Sequence, residues 1–499
     1  MPAHSQVLQK YQMHIGGRWV EPASGDYFKS DNPYTGRPWA LIPRGNAGDV
    51  DLAVQAAHQA FVSGDWPKLN ASQRGALLGR LGELLPEHSA YLAEIEVRDN
   101  GKLLAEMRTQ LDYLPQWYHY YGGLADKIEG AVIPVDKPGI FNYTRQEPLG
   151  VVGAIIPWNS PLMLTAWKLA PALAAGNTVV VKPSEYTSAS MLAFMKVFEQ
   201  AGFPPGVVNV VTGFGAEAGQ PLVDHPLVAK VAFTGSDRTG QKIYESAARG
   251  LKRVGLELGG KSPNIVFDDA DMDNAVKGAI AGIFAATGQT CIAGSRLLVQ
   301  ESVHDQFVDK LVAFAKTAQM GDPMSLETQV GPVTSKVQFQ KVLDYIDIAK
   351  KEGAKLILGG RKASAPECGD GWFVEPTIFT GVDNRMRIAQ EEVFGPVLCV
   401  IPFKDEDEAV ALGNDIVYGL AAGVWTRNIR RALSMAERLQ AGTVWVNTYR
   451  AVSYMSPFGG YKRSGIGRES GKEMVKQYMQ TKSVWIATES EFPNPFVMR

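Results

Sequence analysis

The sequence contains little cysteine, and the cysteines it has are far apart. Its 499 residues include only Cys291, Cys368 and Cys399, and none of them forms a CxxC pair. This pattern argues against a disulfide framework and against a structural zinc site. Free thiols suit a reducing compartment, so we predict a cytoplasmic location.

The chain also lacks an excess of charge of either sign and any long apolar run. Lysine and arginine total 50 against 52 aspartates and glutamates, a formal net charge of -2, which provides no overall positive field for a nucleic-acid backbone. No stretch of about 20 apolar residues could span a bilayer, and the first residues lack the features of a signal peptide. We therefore expect neither a nucleic-acid partner nor a membrane partner.

What the chain does contain is two series of alternating strand-like and helix-like segments. The first series runs from Val151 to Asp268 and the second from about Asn274 to Asn447. Strands that alternate with helices of this length predict a parallel, doubly wound sheet, and a chain of this size predicts two or more domains. The two series meet at Gly259 and Gly260, which we interpret as a flexible hinge.

Glycine clusters in the first series suggest a phosphate-binding turn. In VAFTGSDRTGQKIYESAARG, Gly235 and Gly240 lie at a strand-to-helix junction, and Ser236 can cap the helix whose N-terminus would face a pyrophosphate. A further cluster, TGFGAEAG, contains Gly215. Neither cluster has the GxGxxG spacing. Taken alone, these glycines fit an ordinary tight turn equally well.

Two other places carry side chains suited to binding and catalysis. Lys182 and Glu185 follow a predicted strand in VVVKPSEYT, where a carboxylate would accept hydrogen bonds from a ribose and repel a 2'-phosphate. This favours NAD over NADP, although a surface ion pair is the simpler interpretation of these two residues alone. Cys291 lies in the glycine-flanked loop GQTCIAGSR, where a nucleophilic thiol would be accessible.

Motifs spread over nearly the whole chain resemble the aldehyde dehydrogenase superfamily. In order, they are IPWNSPL, VKPSE, FTGS, ELGGKSP, GQTC, EEVFGPV and PFGGYKRSGIGRE. The resemblance is nearest to the NAD(P)-dependent, non-acylating enzymes that oxidise a broad range of small aldehydes. It implies an α/β fold with a Rossmann-like cofactor domain, an α/β catalytic domain and a small β oligomerisation extension.

The resemblance also implies a division of the chain and a set of partners. Residues 1–125 and 148–259 would form the NAD-binding domain, 260–460 the catalytic domain, and 126–147 and 475–499 the oligomerisation strands. The expected partners are a small-molecule aldehyde and further copies of the chain, as a homodimer or homotetramer.

The catalytic roles follow from the same resemblance. Cys291 would attack the aldehyde carbon to give a thiohemiacetal, from which a hydride can leave to form a thioester. The side-chain amide of Asn159 and the backbone N–H of Cys291 would stabilise the oxyanion. Glu257 of ELGG matches the general base that activates water to hydrolyse the thioester. Glu469 of GRE is the alternative base or an assistant to it.

The cofactor and substrate positions are likewise implied by the motifs. NAD is the expected cofactor, with NADP as the alternative, and no metal is expected. Leu164, Trp167 and Phe458 match the substrate wall, and an apolar wall would favour aliphatic or aromatic aldehydes. The residues implied on the cofactor side are Ile155, Ile156, Pro157, Trp158, Lys182, Glu185, Gly215, Phe233, Thr234, Gly235, Ser236, Thr239, Leu258, Gly259, Gln338, Glu392 and Phe394.

Three other functions remain open at this point. A CoA-acylating dehydrogenase would resolve the thioester with a thiol, but such enzymes generally lack the glutamate found here at Glu257. An esterase could use Cys291 and Glu257 without a nucleotide. A non-catalytic structural protein with this fold would not need Cys291, Glu257 or Asn159.

Overall fold

The computed structural model describes residues 8–489, 494, 496 and 497. It confirms the predicted α/β class, because two large and mostly parallel sheets alternate along the chain with helices. The strands of the described residues are β1 (Gln9–Lys10), β2 (Met13–Ile15), β3 (Arg18–Val20), β4 (Tyr27–Asn32), β5 (Arg37–Pro43), β6 (Val132–Ile133), β7 (Ile140–Pro148), β8 (Val151–Ile155), β9 (Thr178–Lys182), β10 (Val208–Val210), β11 (Val228–Thr234), β12 (Arg253–Glu257), β13 (Pro263–Val266), β14 (Arg296–Gln300), β15 (Lys355–Leu358), β16 (Thr377–Thr380), β17 (Val397–Phe403), β18 (Tyr418–Gly419), β19 (Ala421–Trp425), β20 (Thr443–Val446), β21 (Tyr461–Lys462), β22 (Gly465–Ile466) and β23 (Met479–Ala487). The α-helices are α1 (Ala47–Val62), α2 (Ala71–Asn100), α3 (Leu104–Tyr113), α4 (Pro115–Leu124), α5 (Pro161–Ala174), α6 (Ala189–Ala201), α7 (Gln220–Asp224), α8 (Asp237–Arg249), α9 (Met272–Ile283), α10 (His304–Ala315), α11 (Lys336–Lys351), α12 (Arg387–Gln390), α13 (Glu406–Asn414) and α14 (Ile429–Arg438).

The first large sheet contains a reversal of strand order. Its order is β22-β12-β11-β8-β9-β10-β2-β3, with the five strands from β12 to β10 parallel and the outer three antiparallel to their neighbours. The chain builds from β8 outward through β9 and β10, then returns to the other side of β8 with β11 and β12. Ligands of open α/β sheets bind beyond the carboxyl ends of the strands at such a reversal. The edge between β8 and β11 is therefore the expected cofactor crevice.

Helix α5 connects β8 to β9 and lies inside the protein. Every one of its residues is buried, as expected for a helix that is apolar on most of its faces. Its first turn follows directly on Asn159 and Ser160, so the packing of the whole helix fixes these two side chains at the end of β8. Helices α2, α4 and α6 pack around it in the same apolar core.

The second large sheet positions the nucleophile loop. Its order is β15-β16-β17-β14-β13-β19-β20, and all neighbours from β16 to β20 are parallel. The loop before β14 carries Cys291. This loop meets the chain segment between the two sheets, because a Cβ on Gly260 would lie 2.6 Å from the carbonyl oxygen of Cys291.

A third, smaller sheet consists of β6, β7 and β23. Strands β7 and β23 pair along their whole length, from Met479 opposite Pro148 to Ala487 opposite Ile140. Most of the last part of the predicted oligomerisation segment, residues 490–493, 495, 498 and 499, lies outside the described residues. The predicted domain boundaries stay predictions. Between residues 8 and 489, no helix is both long and apolar enough to cross a membrane.

Candidate active site

The loop that carries Cys291 is held in an unusual backbone conformation. Three successive residues before it, Ala286, Thr287 and Gly288, have φ values of 54°, 54° and 67°. Residues with a Cβ rarely adopt this left-handed region. The side chain of Gln289 then anchors the loop, since its Nε2 donates to the carbonyl of Pro332 at 3.3 Å and its Oε1 accepts from the N–H of Thr334 at 2.9 Å.

The thiol of Cys291 lies where two cavities meet. It lines a cavity of about 570 Å³ and also a narrower crevice of about 130 Å³. Burial raises the pKa of the thiol to about 12, and the nearby carboxylates Glu392 and Glu257 add to the rise. The thiol is therefore protonated at neutral pH in this state, and the attack on a carbonyl must be coupled to loss of its proton.

Asn159 shares both cavities with Cys291. Its side-chain Nδ2 donates one hydrogen bond to the carbonyl of Gln289 at 3.2 Å, which fixes the amide against the nucleophile loop. The amide nitrogen carries two N–H donors, so the second remains to bind an oxygen at the cavity surface. This arrangement suits stabilisation of an oxyanion formed on the carbon that Cys291 attacks.

Glu257 lies at the carboxyl end of β12 and lines the larger cavity. Burial raises the pKa of its carboxyl group well above the ordinary value, with a further rise from Glu469 and an opposing effect of Lys168 and Arg468. Among the described residues, its Oε2 has no hydrogen-bond partner although it is buried. A carboxylate that is poorly solvated and free of strong partners is suited to accept a proton.

Glu469 lines the same cavity but is engaged by a cation. Its Oε1 pairs with Nζ of Lys168, a fully buried lysine of α5 that also donates to Oγ1 of Thr234 at 2.6 Å. The backbone of Glu469 pairs with that of Phe458 in an isolated antiparallel bridge. Its Oε2, like that of Glu257, has no hydrogen-bond partner among the described residues, but its Oε1 is paired with a cation, in contrast to Glu257.

The narrower crevice opens at the strand reversal described above. Glu392 accepts a hydrogen bond from the N–H of Gly260 at 3.0 Å, and burial raises the pKa of its carboxyl group to about 7. Phe394 has a φ of 59° and meets Trp158 edge to face, with the ring centroids 5.1 Å apart. Nε2 of Gln338 fixes this turn by donating to the carbonyls of Val393 and Phe394 at 2.8 and 2.9 Å.

Comparison with known proteins decides the family. Residues 19–484 match the sequence profile of the Aldehyde dehydrogenase family. The chain belongs to the aldehyde dehydrogenase family. It is 46% identical over 491 residues to the mitochondrial aldehyde dehydrogenase of Homo sapiens, covering 97% of this chain and 94% of the relative. The resemblance predicted from the motifs is confirmed.

Two further relatives show how far the similarity extends. The (Z)-2-((N-methylformamido)methylene)-5-hydroxybutyrolactone dehydrogenase of Acinetobacter baylyi is 46% identical over 495 residues, covering 99% of this chain and 100% of the relative. The crystal structure of betaine aldehyde dehydrogenase from Staphylococcus aureus in complex with NAD+ has a TM-score of 0.96 at 40% identity, covering 98% of this chain and 97% of that one.

Most of the site residues that were predicted from the sequence line one or both of the two cavities. Asn159, Leu164, Trp167, Thr234, Glu257, Cys291, Phe458 and Glu469 line the larger cavity. Pro157, Trp158, Asn159, Thr234, Gly235, Ser236, Leu258, Gly259, Cys291, Gln338, Glu392 and Phe394 line the crevice.

The remaining predicted cofactor residues lie outside the crevice lining. Ile155 and Lys182 are register partners at the ends of β8 and β9, and Nζ of Lys182 lies 3.3 Å from Glu185. Ile156 donates its N–H to the carbonyl of Lys182 at 3.0 Å. The other three are Gly215, at the start of a short helical turn, Phe233, in β11, and Thr239, in the first turn of α8.

Sequence reasoning missed the charged residues of the larger cavity. Its wall is not simply apolar, because Lys102, Glu106 and Arg450 line it beside Leu164 and Trp167. Lys341, which lines the crevice, was also missed. No spacing signal distinguishes these residues from charged residues on the surface, so only the fold reveals them.

Proposed function

We propose that this chain uses NAD to oxidise an aldehyde to its carboxylic acid through a covalent intermediate on Cys291. The observation that carries the proposal is the shared position of Cys291 and Asn159 in both cavities, with Glu257 in the larger one. Such an arrangement lets a substrate and a cofactor approach one reacting carbon from two sides.

The crevice and the strand ends beside it support the binding of a dinucleotide. A Cβ on Gly259 would overlap Oε2 of Glu392, and a Cβ on Gly235 would overlap the ring of Phe233, so neighbouring side chains favour glycine at both positions of the crevice lining. Ser236 caps α8, whose N-terminus favours a phosphate. Glu185 would accept hydrogen bonds from ribose hydroxyls and repel a 2'-phosphate, which supports NAD over NADP. When bound, NAD accepts the hydride from the reacting carbon.

The first step forms a bond between Sγ of Cys291 and the aldehyde carbon. The carbonyl oxygen gains the electron pair of its π bond, and Nδ2 of Asn159 and the N–H of Cys291 stabilise the negative charge that results. The thiol proton must leave as the C–S bond forms. It passes to solvent water that enters the larger cavity, so Glu257 remains available as the base of the second step. Loss of the hydride then leaves a thioester on Cys291.

The second step hydrolyses that thioester. Glu257 removes a proton from a water molecule while the water oxygen attacks the thioester carbon, and the same oxyanion donors stabilise the negative charge. Collapse of the intermediate breaks the C–S bond, returns a proton to Cys291 and releases the carboxylic acid. Glu469 is the weaker candidate for the base because Lys168 holds it in an ion pair.

The direct test measures the oxidation of each substrate through the absorbance of reduced nicotinamide, with NAD or NADP and with or without CoA. The substrate panel includes betaine aldehyde and the hydroxybutyrolactone named for the relatives above. We expect turnover without CoA, no turnover in Cys291→Ala, and retained NAD binding in that variant by calorimetry. Activity only with CoA would favour an acylating enzyme, and normal turnover in Cys291→Ala would contradict the mechanism.

Glu257 and Glu469 are separated by trapping the intermediate. We expect Glu257→Gln to accumulate acyl-enzyme, visible as an added mass on the protein and as a burst of reduced nicotinamide followed by slow turnover. Glu469→Gln keeps Glu257 and should show no such accumulation. The reverse pattern would move the base role to Glu469.

Self-association and a reducing location are part of the same proposal. The sheet of β6, β7 and β23 exposes Val132 at 68%, Phe141 at 43% and Trp485 at 57% of their surfaces, which a second copy would cover. Light scattering of wild type and Trp485→Glu tests this, with a smaller particle expected for the variant. A mechanism that depends on a reduced Cys291 suits the cytoplasm, which cell fractionation would check.

A further inference from the structure

The larger cavity contains a charged wall formed by residues from distant parts of the chain. Lys102 follows α2, Glu106 lies in the first turn of α3, and Arg450 follows β20. Nη2 of Arg450 lies 3.1 Å from Oε1 of Glu106, and Nζ of Lys102 lies 3.6 Å from the same oxygen. We call these three residues the charged wall.

The charged wall has more hydrogen-bond donors than its own acceptors use. Lys102 donates to Oγ of Ser160 at 3.1 Å and faces Glu106, while Arg450 uses Nη1 for the carbonyl of Ala281 at 3.4 Å and Nη2 for Glu106. Gln110 directs its Nε2 to the same Glu106 oxygen at 3.4 Å. A guanidinium has five N–H donors and an ammonium three, so several donors remain for a ligand.

The charge of the charged wall is also unbalanced. Lys102 and Arg450 share one carboxylate, and the attraction of Glu106 opposes the lowering of the pKa of Lys102 by burial, which leaves an excess of positive charge beside the cavity. The other two acidic residues lining the cavity do not cancel this charge. Glu469 is paired with Lys168, and the charged groups that act on Glu257 are Glu469, Lys168 and Arg468, not those of the charged wall. A negatively charged group in this cavity would therefore be attracted, and a positively charged one repelled.

The backbone holds Arg450 in this position at some conformational cost. Its φ is 66°, in the left-handed region that residues with a Cβ avoid. The neighbouring contacts fix the turn, since Tyr449 donates its hydroxyl to the carbonyl of Ile292 at 3.0 Å and Trp445 donates Nε1 to the carbonyl of Ala451 at 2.9 Å. A strained residue held over a substrate cavity and next to the nucleophile loop is typical of a functional position.

We propose that the charged wall of Lys102, Glu106 and Arg450 binds a carboxylate of the substrate, so that the preferred substrates are aldehydes carrying an acidic group. Arg450 provides the planar pair of N–H donors that suits a carboxylate, and Lys102 adds a second cation. Glu106 orients both cations through its Oε1. This inference rests on the proposed aldehyde oxidation.

The test compares aldehydes of equal length that differ in charge. The probes are adipate semialdehyde, its methyl ester, hexanal and a trimethylammonium aldehyde of matched length. For wild type we expect the highest kcat/KM with the acid and the lowest with the cation. In Arg450→Gln, we expect the ratio of kcat/KM for the acid to that for hexanal to fall by about 10- to 100-fold, the loss typical of one charge-assisted hydrogen bond. Arg450→Lys should retain part of the preference.

Controls separate this inference from the proposed function and from misfolding. Arg430, exposed on α14, provides a matched control, and Arg430→Gln should leave the acid-to-hexanal ratio unchanged. Equal kcat/KM for the acid, the ester and hexanal in wild type would overturn the carboxylate site while leaving aldehyde oxidation intact. A preference for the cationic aldehyde would overturn it as well. Absence of turnover with every aldehyde would instead refute the proposed function.

Discussion

The buried ion pair between Lys168 and Glu469 predicts a large loss of stability when one partner is removed. The side chain of Lys168 is 0% exposed and that of Glu469 is 6% exposed. Replacing Lys168 with Met keeps an unbranched apolar chain in α5 but removes the cation. The carboxylate of Glu469 would then be buried beside Glu257 without its partner. Breaking a buried pair in this way costs about 3–5 kcal/mol, so we expect that decrease in the free energy of unfolding.

The double variant Lys168→Met/Glu469→Gln tests the cause of this loss. With both charges removed, no uncompensated charge remains, and replacing a buried pair by neutral groups is often nearly neutral. We therefore expect the loss of unfolding free energy in the double variant to be smaller than the sum of the two single losses, by about 2 kcal/mol or more.

The assay is unfolding in guanidinium chloride followed by tryptophan fluorescence. Lys310→Met is the control, because Lys310 pairs with Asp273 on the surface at 45% and 74% exposure and should cost less than about 1 kcal/mol. Additive losses in the double variant, or a Lys168→Met loss no larger than that of the control, would refute the reasoning.

Three further predictions concern the crevice, the nucleophile loop and the base. Gly259→Ala places a Cβ against the carboxylate of Glu392 and displaces it within the crevice lining, so NAD affinity measured by calorimetry should fall about tenfold or more. Ala286→Gly relieves the strain of a φ of 54° and should raise the free energy of unfolding by about 1 kcal/mol. The measurement is a higher midpoint of unfolding in guanidinium chloride. Because the base must be deprotonated, kcat should fall as the pH falls through the raised pKa of Glu257, and Glu257→Gln should remove that acidic limb from the pH profile.

The sequence was sufficient to predict the elements that depend on local pattern. Valine-rich runs such as TVVVK formed buried strands of a parallel sheet, and the capping residue Ser236 was correctly placed at the start of α8. The motifs around Asn159, Glu257 and Cys291 led to residues that share one cavity in the structure. Local signals succeed here because strand propensity, capping and turn geometry act over a few residues.

Long-range electrostatic partners were not predictable in this way. Lys168 lies in LTAWKLAPALAAG, where one lysine suggests a solvated position, yet it is fully buried against a glutamate 301 residues further along the chain. Arg450 and Glu106 are separated by 344 residues and meet only at the cavity. The sequence does not show which residue such a side chain pairs with, because the pairing depends on the fold. The charged wall could therefore not be inferred from the sequence.

The pair Gly259 and Gly260 has a packing role that the sequence does not suggest. The hinge stays a prediction, and the structure adds that both positions lie in close contact with neighbouring atoms. A Cβ on Gly259 would overlap the carboxylate of Glu392, and one on Gly260 would lie 2.6 Å from the carbonyl oxygen of Cys291. A side chain at either position would push the nucleophile loop or Glu392 away from β12. The position of Cys291 between the two cavities therefore depends on the absence of a side chain at Gly260, which no pattern of hydrophobic or charged residues can indicate.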